Sequence, residues 1–509
     1  MDFSLVSLWF FVFFGATLGL YYVIPRKYQW CYLLVISLAF FLLSSIWYTI
    51  LYMLISADLA FLVTINIASD RNTKKARNWL LIGILGNLVM LAALKYVAFI
   101  LTNLNFLSTT FNNMSMMIPI PSWAAPIGIS FYTLSAIGYM VDCYWGLCEP
   151  SGNYFKDLLF VCYWPVLTSG PIIKYGDIEK TLFAGHEFDS TRVLYGLQRM
   201  LWGITKKIVI SSRLGVIVDV IYGDLAICYG FYIWVAAGAF MLQLYTDFSG
   251  CMDIILGASE CYGIVLPENF RMPFFSKSIQ EFWQRWHITL GGWYREYILY
   301  PLLNTMWLAR IEKAAKKKYG RRAGRLIASC TAMLFVWLLF GLWHGGDWKY
   351  VVMGLYFWIL IIIESFSEGW FNALWNRLEV PINTIGWKVV KCLKVFVLVT
   401  IGNMFFRLHS LSETFSVIRL GLHYNPWIFV DGSFYNMGLS VNEINLTLGG
   451  LIVLFLVSLF KRKGDVRDMI SSQPLIVRWA IYLLLLFVPM VFGIYGPGYD
   501  AKAFIYGGF

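Results

Sequence analysis

Repeated apolar runs constrain the fold of this chain more than any other feature of its sequence. Each run is about 20 residues long, the length at which a helix crosses the ~30 Å hydrocarbon core of a bilayer. Of the 509 residues, 59% are hydrophobic and only 14% are charged. Because backbone exposed to lipid must satisfy its own hydrogen bonds, the runs predict an all-α, polytopic integral membrane protein.

The apolar runs also predict where the chain crosses the membrane. The N-terminal run has no basic leader and no small-residue cleavage site, which predicts a retained first span with an outside N-terminus. The 22 Trp and 31 Tyr suit interfacial belts. Predicted spans are 4–23, 30–47, 49–68, 79–103, 125–145, 156–172, 193–221, 229–246, 250–265, 326–343, 347–366, 388–408, 446–460 and 476–495.

The charge distribution excludes a nucleic-acid-binding protein, although the formal net charge is +11. Lys and Arg fall in short clusters between apolar runs, as the positive-inside rule requires. The clusters predict cytoplasmic segments at 71–77, 206–207, 313–325 and 461–463, and the nearly uncharged stretch 104–124, with Asn105, Asn112 and Asn113, predicts an external loop. Nine scattered cysteines form no CxxC pair, so no metal site is expected.

Two segments are too polar or too irregular for a straight span. Residues 125–146 contain Pro126, three glycines and Asp142, which predicts a broken or tilted helix. Residues 169–174, SGPIIK, predict a turn at membrane depth. Irregular backbone at that depth requires burial in protein or a wet cavity, so the pattern implies a cavity.

His344 lies in LLFGLWHGGDWKY, residues 338–350, between two long apolar runs. Histidine accepts a proton near neutral pH, and ionisable groups at membrane depth are costly enough to suggest function. Gly341, Gly345 and Gly346 leave room for backbone or substrate beside the ring. The alternative is a histidine that is satisfied at a helix–helix turn.

A second histidine, His287, occurs in an aromatic segment. Phe282, Trp286, Leu290, Trp293 and Tyr297 recur at helical spacing. The pattern predicts one amphipathic helix that lies along an interface or roofs a cavity. An aromatic stripe of this kind is more often packing than a binding site, and His287 is its exception.

These two segments resemble a known family. The run SIQEFWQRWHITLGGWYREYILYPL (278–302) followed by LLFGLWHGGDW (338–348) is similar to the signature of the membrane-bound O-acyltransferase superfamily. It resembles the bacterial branch, which includes alginate and exopolysaccharide O-acetylation proteins and the D-alanine transfer protein of teichoic acids. Further stretches carry the resemblance in the expected order over about 120–509: PIGISFYTLSAIGYMVDCYWG, SGPIIKYGDIE, YTDFSGCMDIILG with PENF, GNMFFRLHSLSETFSVIR and the terminal FIYGGF.

The chain departs from the acetylation branch after Pro301. A longer and more basic segment, LLNTMWLARIEKAAKKKYGRRAGR, replaces a short glycine-asparagine-arginine turn. The departure bears on which acyl group is transferred. We expect the basic stretch 310–325 to be a cytoplasmic loop, with attraction of acetyl-CoA phosphates or an acidic carrier as the alternative.

The resemblance implies a helical bundle with a central funnel and short, broken and interfacial helices. A cytoplasmic acyl donor and an external hydroxyl acceptor meet there at the family's invariant histidine, which matches His344. His287 matches the second family histidine. A straight helix beginning near Arg325 would instead carry His344 toward the outer leaflet, so a deeper position requires short or kinked helices.

Acyl transfer to an alcohol needs a base and oxyanion donors. We assign the role of base to His344, whose ring is expected to be kept neutral by Leu342, Trp343 and Trp348. His287 is expected to be the secondary residue, which orients the substrate, polarises the thioester carbonyl or shares the proton transfer. No G-x-S-x-G elbow is present, so direct attack in a ternary complex is favoured over an acyl-enzyme. The residues expected to bind substrate are Trp283, Trp286, Trp343, Tyr294 and Arg285. Structural roles are expected for Asp142, Asp247, Asp253 and Arg407.

The functional prediction is an O-acyltransferase of the bacterial plasma membrane, forming one integral domain over 1–509. It moves an acyl group, with acetyl favoured, from a cytoplasmic thioester to hydroxyls of an extracytoplasmic cell-envelope polysaccharide. The thioester is acetyl-CoA or an acyl carrier protein, and no permanently bound cofactor is expected. Expected partners are the membrane, the polymer, a partner acyltransferase outside the cytoplasm and a small carrier protein. D-alanyl transfer toward teichoic acid is the alternative within the class. A transporter or flippase with a histidine proton relay is the alternative outside it, although no internal repeat is visible.

Overall fold

The computed structural model describes residues 4–69, 71, 73–110 and 117–495. Asn112, Asn113 and the terminal FIYGGF, used above, lie outside the described residues. The described part of the chain contains no β-strand and one isolated antiparallel bridge, between Phe270 and Trp286. The prediction of an all-α protein is therefore confirmed.

The chain divides into two compact units. The first contains Met1–Val209, Thr246–Glu268 and Leu459–Phe509, and the second contains Ile210–Tyr245 and Asn269–Ser458. The single integral domain over 1–509 stays a prediction.

The α-helices are numbered in chain order. They are α1 (Leu8–Tyr21), α2 (Arg26–Ser44), α3 (Ile50–Ala68), α4 (Lys74–Thr110), α5 (Ile129–Trp145), α6 (Tyr154–Cys162), α7 (Trp164–Leu167), α8 (Tyr175–Leu182), α9 (Ser190–Ile204), α10 (Ser212–Gly223), α11 (Phe231–Cys261), α12 (Ile279–Arg285), α13 (Ile288–Tyr294), α14 (Tyr300–Leu303), α15 (Met306–His344), α16 (Trp348–Arg377), α17 (Ile385–Arg407), α18 (Leu411–Leu420), α19 (Val441–Lys461), α20 (Val466–Ser471) and α21 (Leu475–Phe492). Two π-helical segments are Thr205–Ser211 and Arg295–Leu299, and short 3-10 turns are Trp47–Thr49, Pro273–Phe275, Trp427–Phe429 and Ser433–Tyr435.

Eight helices in the described residues are long and apolar enough to cross a membrane. This agrees with a polytopic membrane protein, whereas the spans predicted at 125–145, at 156–172 and over 193–265 are not among the eight. The eight candidate spans are α2, α3 with its preceding turn, α4, α15, α16, α17, α19 and α21. The shorter helix α1 is also apolar.

Three predicted interruptions have different outcomes. Residues 125–146 were predicted to form a broken or tilted helix. The break is wrong, since α5 is continuous and two of the three glycines, Gly128 (φ 73°) and Gly146 (φ 74°), lie at its ends, where the backbone is left-handed. The two spans predicted at 229–246 and 250–265 are one helix, α11. The irregular backbone at 169–174 is confirmed, and all but Lys174 of it is buried in protein.

The basic stretch predicted as a loop at 310–325 is helical. Within α15 only Gly320 leaves the helical conformation (φ 85°, ψ 169°). The arms 306–319 and 321–344 fold back on each other there, since the Trp307 and Phe335 rings lie 5.8 Å apart and a Cβ on Gly324 would meet the Lys316 backbone nitrogen at 2.7 Å. We call residues 306–325 the basic hairpin.

The pair Lys206 and Lys207, predicted to lie in a cytoplasmic segment, is buried in protein, and the side of the membrane on which it lies stays a prediction. Both lie in the π-helical segment Thr205–Ser211 and are buried. Their ammonium groups pair with Asp253 and Asp247 of α11 at 2.6 Å each. Buried carboxylates, rather than the aqueous phase, satisfy these charges.

Candidate functional site

The amphipathic helix predicted over 282–297 is interrupted at His287. Helix α12 ends at Arg285, Trp286 is extended (φ −114°, ψ 129°), and His287 is left-handed (φ 49°, ψ 51°) before α13 begins at Ile288. The prediction of one continuous helix is therefore wrong. Helical spacing across the break does not place the aromatic residues on one face.

Backbone pairing with the segment before α12 causes the interruption. The Arg271 N–H donates to the Arg285 carbonyl (2.9 Å), and the Ile288 N–H donates to the Asn269 carbonyl (3.0 Å). The Asn269 side-chain oxygen also accepts from the Thr289 N–H (3.1 Å) and hydroxyl (3.0 Å), which caps α13. These bonds offset the roughly 1–2 kcal/mol cost of left-handed backbone at a non-glycine residue. Such strained positions concentrate at functional sites.

His344 is the last residue of α15. Two glycines beside it admit close approach, as predicted, and the groups that approach belong to α16. A Cβ on Gly341 would lie 2.3 Å from the Tyr350 carbonyl oxygen, and one on Gly345 would lie 2.6 Å from the Tyr350 ring. Tyr350 is thereby held beside the imidazole, with 6.3 Å between ring centroids.

The rings of the two histidines both contact the indole ring of Trp343. The Trp343 ring centroid is 5.4 Å from that of His287 and 4.9 Å from that of His344. His344 also contacts Phe340 (4.9 Å) and Phe406 (5.4 Å). The exposed fractions of His287 and His344 are 1% and 2%. We call these two histidines with Trp343, Phe340, Phe406 and Tyr350 the histidine cage.

Two more predicted site residues border the histidine cage. The Trp283 ring lies 5.0 Å from that of Phe340 and also contacts Trp337 and Phe357. Tyr294 contacts Phe340 at 6.3 Å, and its hydroxyl donates to the Leu339 carbonyl at 3.1 Å. Trp283 therefore forms part of the wall, and the Tyr294 hydroxyl is engaged with the helix that carries His344.

The other two predicted site residues have different surroundings. Trp286 packs on Phe270 (5.0 Å) and Phe282 (5.4 Å), which stabilises the break before His287. The Arg285 guanidinium is partly exposed and pairs with Glu281 at 2.7 Å, one turn earlier on α12. The structure thus groups Trp343, Trp283 and Tyr294 around the histidines, and gives Trp286 and Arg285 other contacts.

Burial determines the charge of His287. It lowers the pKa of this imidazole to about 3, because removal from water penalises the charged form. The ring is therefore neutral at physiological pH. A neutral imidazole offers one N–H donor and one nitrogen acceptor, so it can polarise a carbonyl without carrying a charge.

Several residues that form the cage or pack beside it were not singled out from the sequence. Phe340 and Trp337 precede His344 by four and seven residues, a spacing that places them on its helix face and was available from the sequence. Phe406 comes from α17 and Asn269 from the PENF stretch. Their approach depends on tertiary packing, for which local spacing carries no signal.

His344 lies at the far end of its helix from the basic hairpin. The arm 321–344 has no further interruption, and 24 helical residues extend roughly 35 Å. The kink that a deeper position of His344 would require is not in this helix. Among the described residues, no group of three or more His, Cys, Asp or Glu side chains is arranged to hold a metal ion.

Comparison with known proteins gives a consistent set of relatives. The model of the MBOAT, membrane-bound O-acyltransferase family, matches residues 151–311, a range that includes His287 and ends before His344. The probable alginate O-acetylase AlgI of Pseudomonas putida is 30% identical over 432 residues, which cover 83% of this chain and 80% of that protein.

Two further relatives carry other names. The peptidoglycan O-acetyltransferase of Helicobacter pylori is 26% identical over 387 residues, covering 70% of this chain and 67% of that protein. The teichoic acid D-alanyltransferase of Bacillus subtilis is 28% identical over 257 residues, covering 48% of this chain and 60% of that protein. The similarity to the alginate protein extends over the greater part of both chains, including both histidine segments.

Proposed function

Because the chain belongs to the membrane-bound O-acyltransferase family, we propose that it transfers an acetyl group from a cytoplasmic thioester to hydroxyls of an extracytoplasmic cell-envelope polysaccharide. It is a multi-pass O-acyltransferase of the cell membrane. The names of the alginate and peptidoglycan relatives support acetyl as the group and a polymer as the acceptor. Family membership leaves no reason to retain the transporter hypothesis.

The observation that carries the proposal is that both family histidines contact one buried indole. His287 and His344 lie 57 residues apart in the chain, on either side of the basic hairpin. They nevertheless share a contact with Trp343, and both are almost fully buried. Water-poor surroundings strengthen hydrogen bonds to developing charge, which suits acyl transfer.

His344 is the proposed general base. A neutral imidazole nitrogen takes the proton from the acceptor hydroxyl as the oxygen attacks the thioester carbonyl carbon. A tetrahedral oxyanion forms, and the C–S bond then breaks. The imidazolium returns the proton to the departing thiolate, so the ester and a free thiol are produced and His344 is neutral again.

His287 is the proposed donor to the thioester carbonyl oxygen. Its lowered pKa makes it a poor base, because a proton abstracted by this ring would be held weakly. The same neutrality suits an N–H that stabilises the oxyanion, a role in which one donor contributes roughly 10²–10³-fold in rate. The left-handed backbone fixes the direction of the ring before substrate arrives.

The remaining predicted residues receive separate roles. Trp343 and Trp283 line the reaction site and exclude water, while Tyr294 holds the helix of His344. Arg285 is neutralised by Glu281 and Trp286 packs the break, so neither is proposed to touch substrate. The proposed donor is acetyl-CoA or an acylated carrier protein, and a partner acyltransferase outside the cytoplasm is the proposed route onward to the polymer.

D-alanyl transfer toward teichoic acid is the second candidate. One observation favours it: the teichoic acid D-alanyltransferase of Bacillus subtilis aligns over 257 residues of this chain. The chemistry at the two histidines is the same for both groups. Mass spectrometry of envelope polymers, with and without the gene, separates them by the mass added per repeat.

The test of the proposal is His344→Ala. We expect acylation of the polymer to fall about 10²–10⁴-fold, the contribution of a positioned general base. Acyl content is measured by mass spectrometry of purified polymer from cells that express the variant. His423→Ala is the matched control, because that histidine is exposed and is not a member of the cage.

Membrane insertion and thermal unfolding are measured on the same variants. We expect both to match the wild type in His423→Ala, and insertion to persist in His344→Ala. Normal ester content in an inserted His344→Ala protein would remove His344 from catalysis. A variant His344→Gln, which keeps polar bulk, separates lost chemistry from lost packing if the alanine variant unfolds.

A further inference from the structure

The basic hairpin carries an unusual density of exposed positive charge. Eight basic residues occur in residues 306–325 against one acidic residue, Glu312, which pairs with Lys316 at 2.6 Å. All eight are exposed: Arg310, Lys313, Lys316, Lys317, Lys318, Arg321, Arg322 and Arg325. Uncompensated charge of this kind marks a surface that attracts anions.

The packing of α15 on α16 shows which residues of α16 lie beside the tip of the hairpin. The two helices run antiparallel, since Gly341 faces the Tyr350 carbonyl, Gly354 faces the Trp337 carbonyl, and the Arg322 guanidinium reaches Gly369. Helix α16 continues eight residues beyond Gly369, or roughly 12 Å. The hairpin tip is therefore shorter than its neighbour and does not project past it.

Aromatic side chains surround this level. Trp370 is adjacent to Gly369 and 64% exposed. Five residues further along α16, Trp375 packs on Trp387 of α17 with ring centroids 5.0 Å apart. Exposed Trp beside Lys and Arg at the end of apolar spans is the pattern of a membrane–water interface.

The first arm of the hairpin lies against the apolar part of the second arm. Trp307 contacts Phe335, which is 14 residues, or roughly 21 Å, from Arg321 along that helix. The basic residues of the arm 306–319 thus extend from the tip back along a candidate span. Long basic side chains in such a position reach outward to lipid headgroups while their stems cover apolar surface.

We propose that the basic hairpin is a docking surface for the headgroups of anionic phospholipids in the leaflet at its tip. The lipid phosphates neutralise the exposed Lys and Arg, and the neighbouring Trp residues lie at the same depth. This holds the hairpin, and with it the helix that ends at His344, in register with the bilayer. The surface is distinct from the histidine cage, so its test does not depend on the proposed reaction.

An acidic carrier protein is the competing occupant. A protein of that kind needs a surface that projects into the aqueous phase. The hairpin tip ends before the last turns of α16, and the basic residues of the arm 306–319 lie along a helix that is a candidate membrane span. The geometry therefore favours lipid.

The test compares two triple variants with equal loss of charge. The first is Lys313→Gln, Lys317→Gln and Arg321→Gln. The second, the matched control, is Lys74→Gln, Lys75→Gln and Arg77→Gln at the exposed start of α4. Purified full-length proteins in detergent are titrated with phosphatidylglycerol or phosphatidylcholine, and bound lipid is counted by native mass spectrometry.

We expect phosphatidylglycerol to bind the hairpin variant at least about tenfold more weakly than the wild type, since each Lys or Arg near an anionic surface contributes roughly fivefold. The control should keep most of the wild-type affinity, and phosphatidylcholine should distinguish none of the three. Raising salt should weaken wild-type binding in the same way, a check that needs no variant.

Equal phosphatidylglycerol affinity in the hairpin variant and the wild type would overturn the proposal. If that variant also lost acyl transfer from a carrier-protein donor, the hairpin would be assigned to the carrier instead. If both triple variants bound phosphatidylglycerol equally weakly, the loss of affinity would be explained by the total charge of the protein. This result too would overturn a specific docking surface.

Discussion

The histidine cage in the second unit and a cluster of ion pairs in the first unit bury polar side chains in opposite ways. The cage surrounds two imidazoles with aromatic rings, and no Asp, Glu, Lys or Arg is among its defined members. The ion-pair cluster joins α9, the π-helical segment Thr205–Ser211 and α11 through pairs of Lys or Arg with Asp.

The ion-pair cluster matches each cation with a carboxylate. Lys207 and Asp247 lie 2.6 Å apart, with both side chains only 4% exposed. The two carboxylate oxygens of Asp253 accept separately, from the Arg199 Nε at 3.0 Å and from the Lys206 Nζ at 2.6 Å. Arg199 also reaches Glu268 at 2.8 Å. Such closely matched charges belong to the structure rather than to a reaction.

Glycines bring the helices of this cluster close together. A Cβ on Gly203 would lie 2.5 Å from the Gly250 carbonyl oxygen, and one on Gly196 would lie 2.6 Å from that of Gly257. Close approach through small residues is how helices pack in membranes. It allows the short reach between the lysines of one helix and the aspartates of the other.

The comparison of the cage with the ion-pair cluster shows which buried polar groups remain able to form hydrogen bonds with a substrate. A buried cation or carboxylate persists only when an opposite charge cancels it, and the pair is then committed. Imidazole is neutral when buried, so its burial does not require an opposite charge, and the ring can still donate or accept a hydrogen bond. The ion-pair cluster therefore predicts stability effects, and the cage predicts effects on rate.

The largest expected stability effect is in the ion-pair cluster. Asp247→Ala leaves the Lys207 ammonium buried without its carboxylate, and we expect a loss of about 3–5 kcal/mol in the free energy of unfolding. Unfolding of the purified protein in mixed micelles measures it. The control is Asp219→Ala, which removes the exposed partner of Arg407 and should cost at most about 1 kcal/mol.

The double variant Asp247→Leu with Lys207→Met removes both charges. We expect it to recover most of the lost stability, because replacement of a buried pair by apolar side chains is often neutral. An Asp247→Ala protein as stable as the wild type would show that the pair is not desolvated, and the contrast with the cage would fail.

The next effect is on rate. His287→Gln keeps polar bulk at the break but changes the donor's geometry, and we expect a decrease of about 10²-fold in kcat, the range for one oxyanion donor. Acyl transfer by the purified protein measures it. A comparable variant on the same aromatic segment, Trp286→Phe, tests packing alone and should retain more activity.

The same variant tests the lowered pKa. Between pH 6.5 and about 3, the unfolded chain binds a proton at His287 that the folded chain does not, so wild-type stability falls as pH falls through this window. His287→Gln cannot bind that proton, and its stability should fall less steeply. An identical pH dependence in both proteins would mean that His287 is hydrated in the fold.

The sequence predicted the fold class correctly, and it did not predict the features that depend on tertiary packing. Apolar length predicted the spans of α15, α16 and α17, because crossing a bilayer leaves few alternatives. Spacing missed the break at His287, since the cause is Asn269, which is 18 residues earlier. Charge did not predict the buried ion pairs of Lys206 and Lys207, because their partners on α11 are distant in sequence.

The smallest expected effect tests whether a hydrogen bond from a residue that is not a member of the cage positions the two histidines. The Tyr294 hydroxyl donates to the Leu339 carbonyl, one turn before Trp343, and so joins the helix that follows His287 to the helix that ends at His344. Tyr294→Phe removes a bond of about 1 kcal/mol. We expect kcat to decrease roughly fivefold with KM nearly unchanged, because 1.4 kcal/mol corresponds to tenfold.

Tyr300→Phe is the matched control, since that side chain is exposed and lies six residues later. It should leave both constants unchanged. A rise in KM at constant kcat in Tyr294→Phe would instead mean that the hydroxyl binds substrate, as the sequence pattern first indicated. A positioning bond between the two histidine segments predicts the opposite split, because it acts on the geometry of the reacting groups and leaves the affinity for the substrate in place.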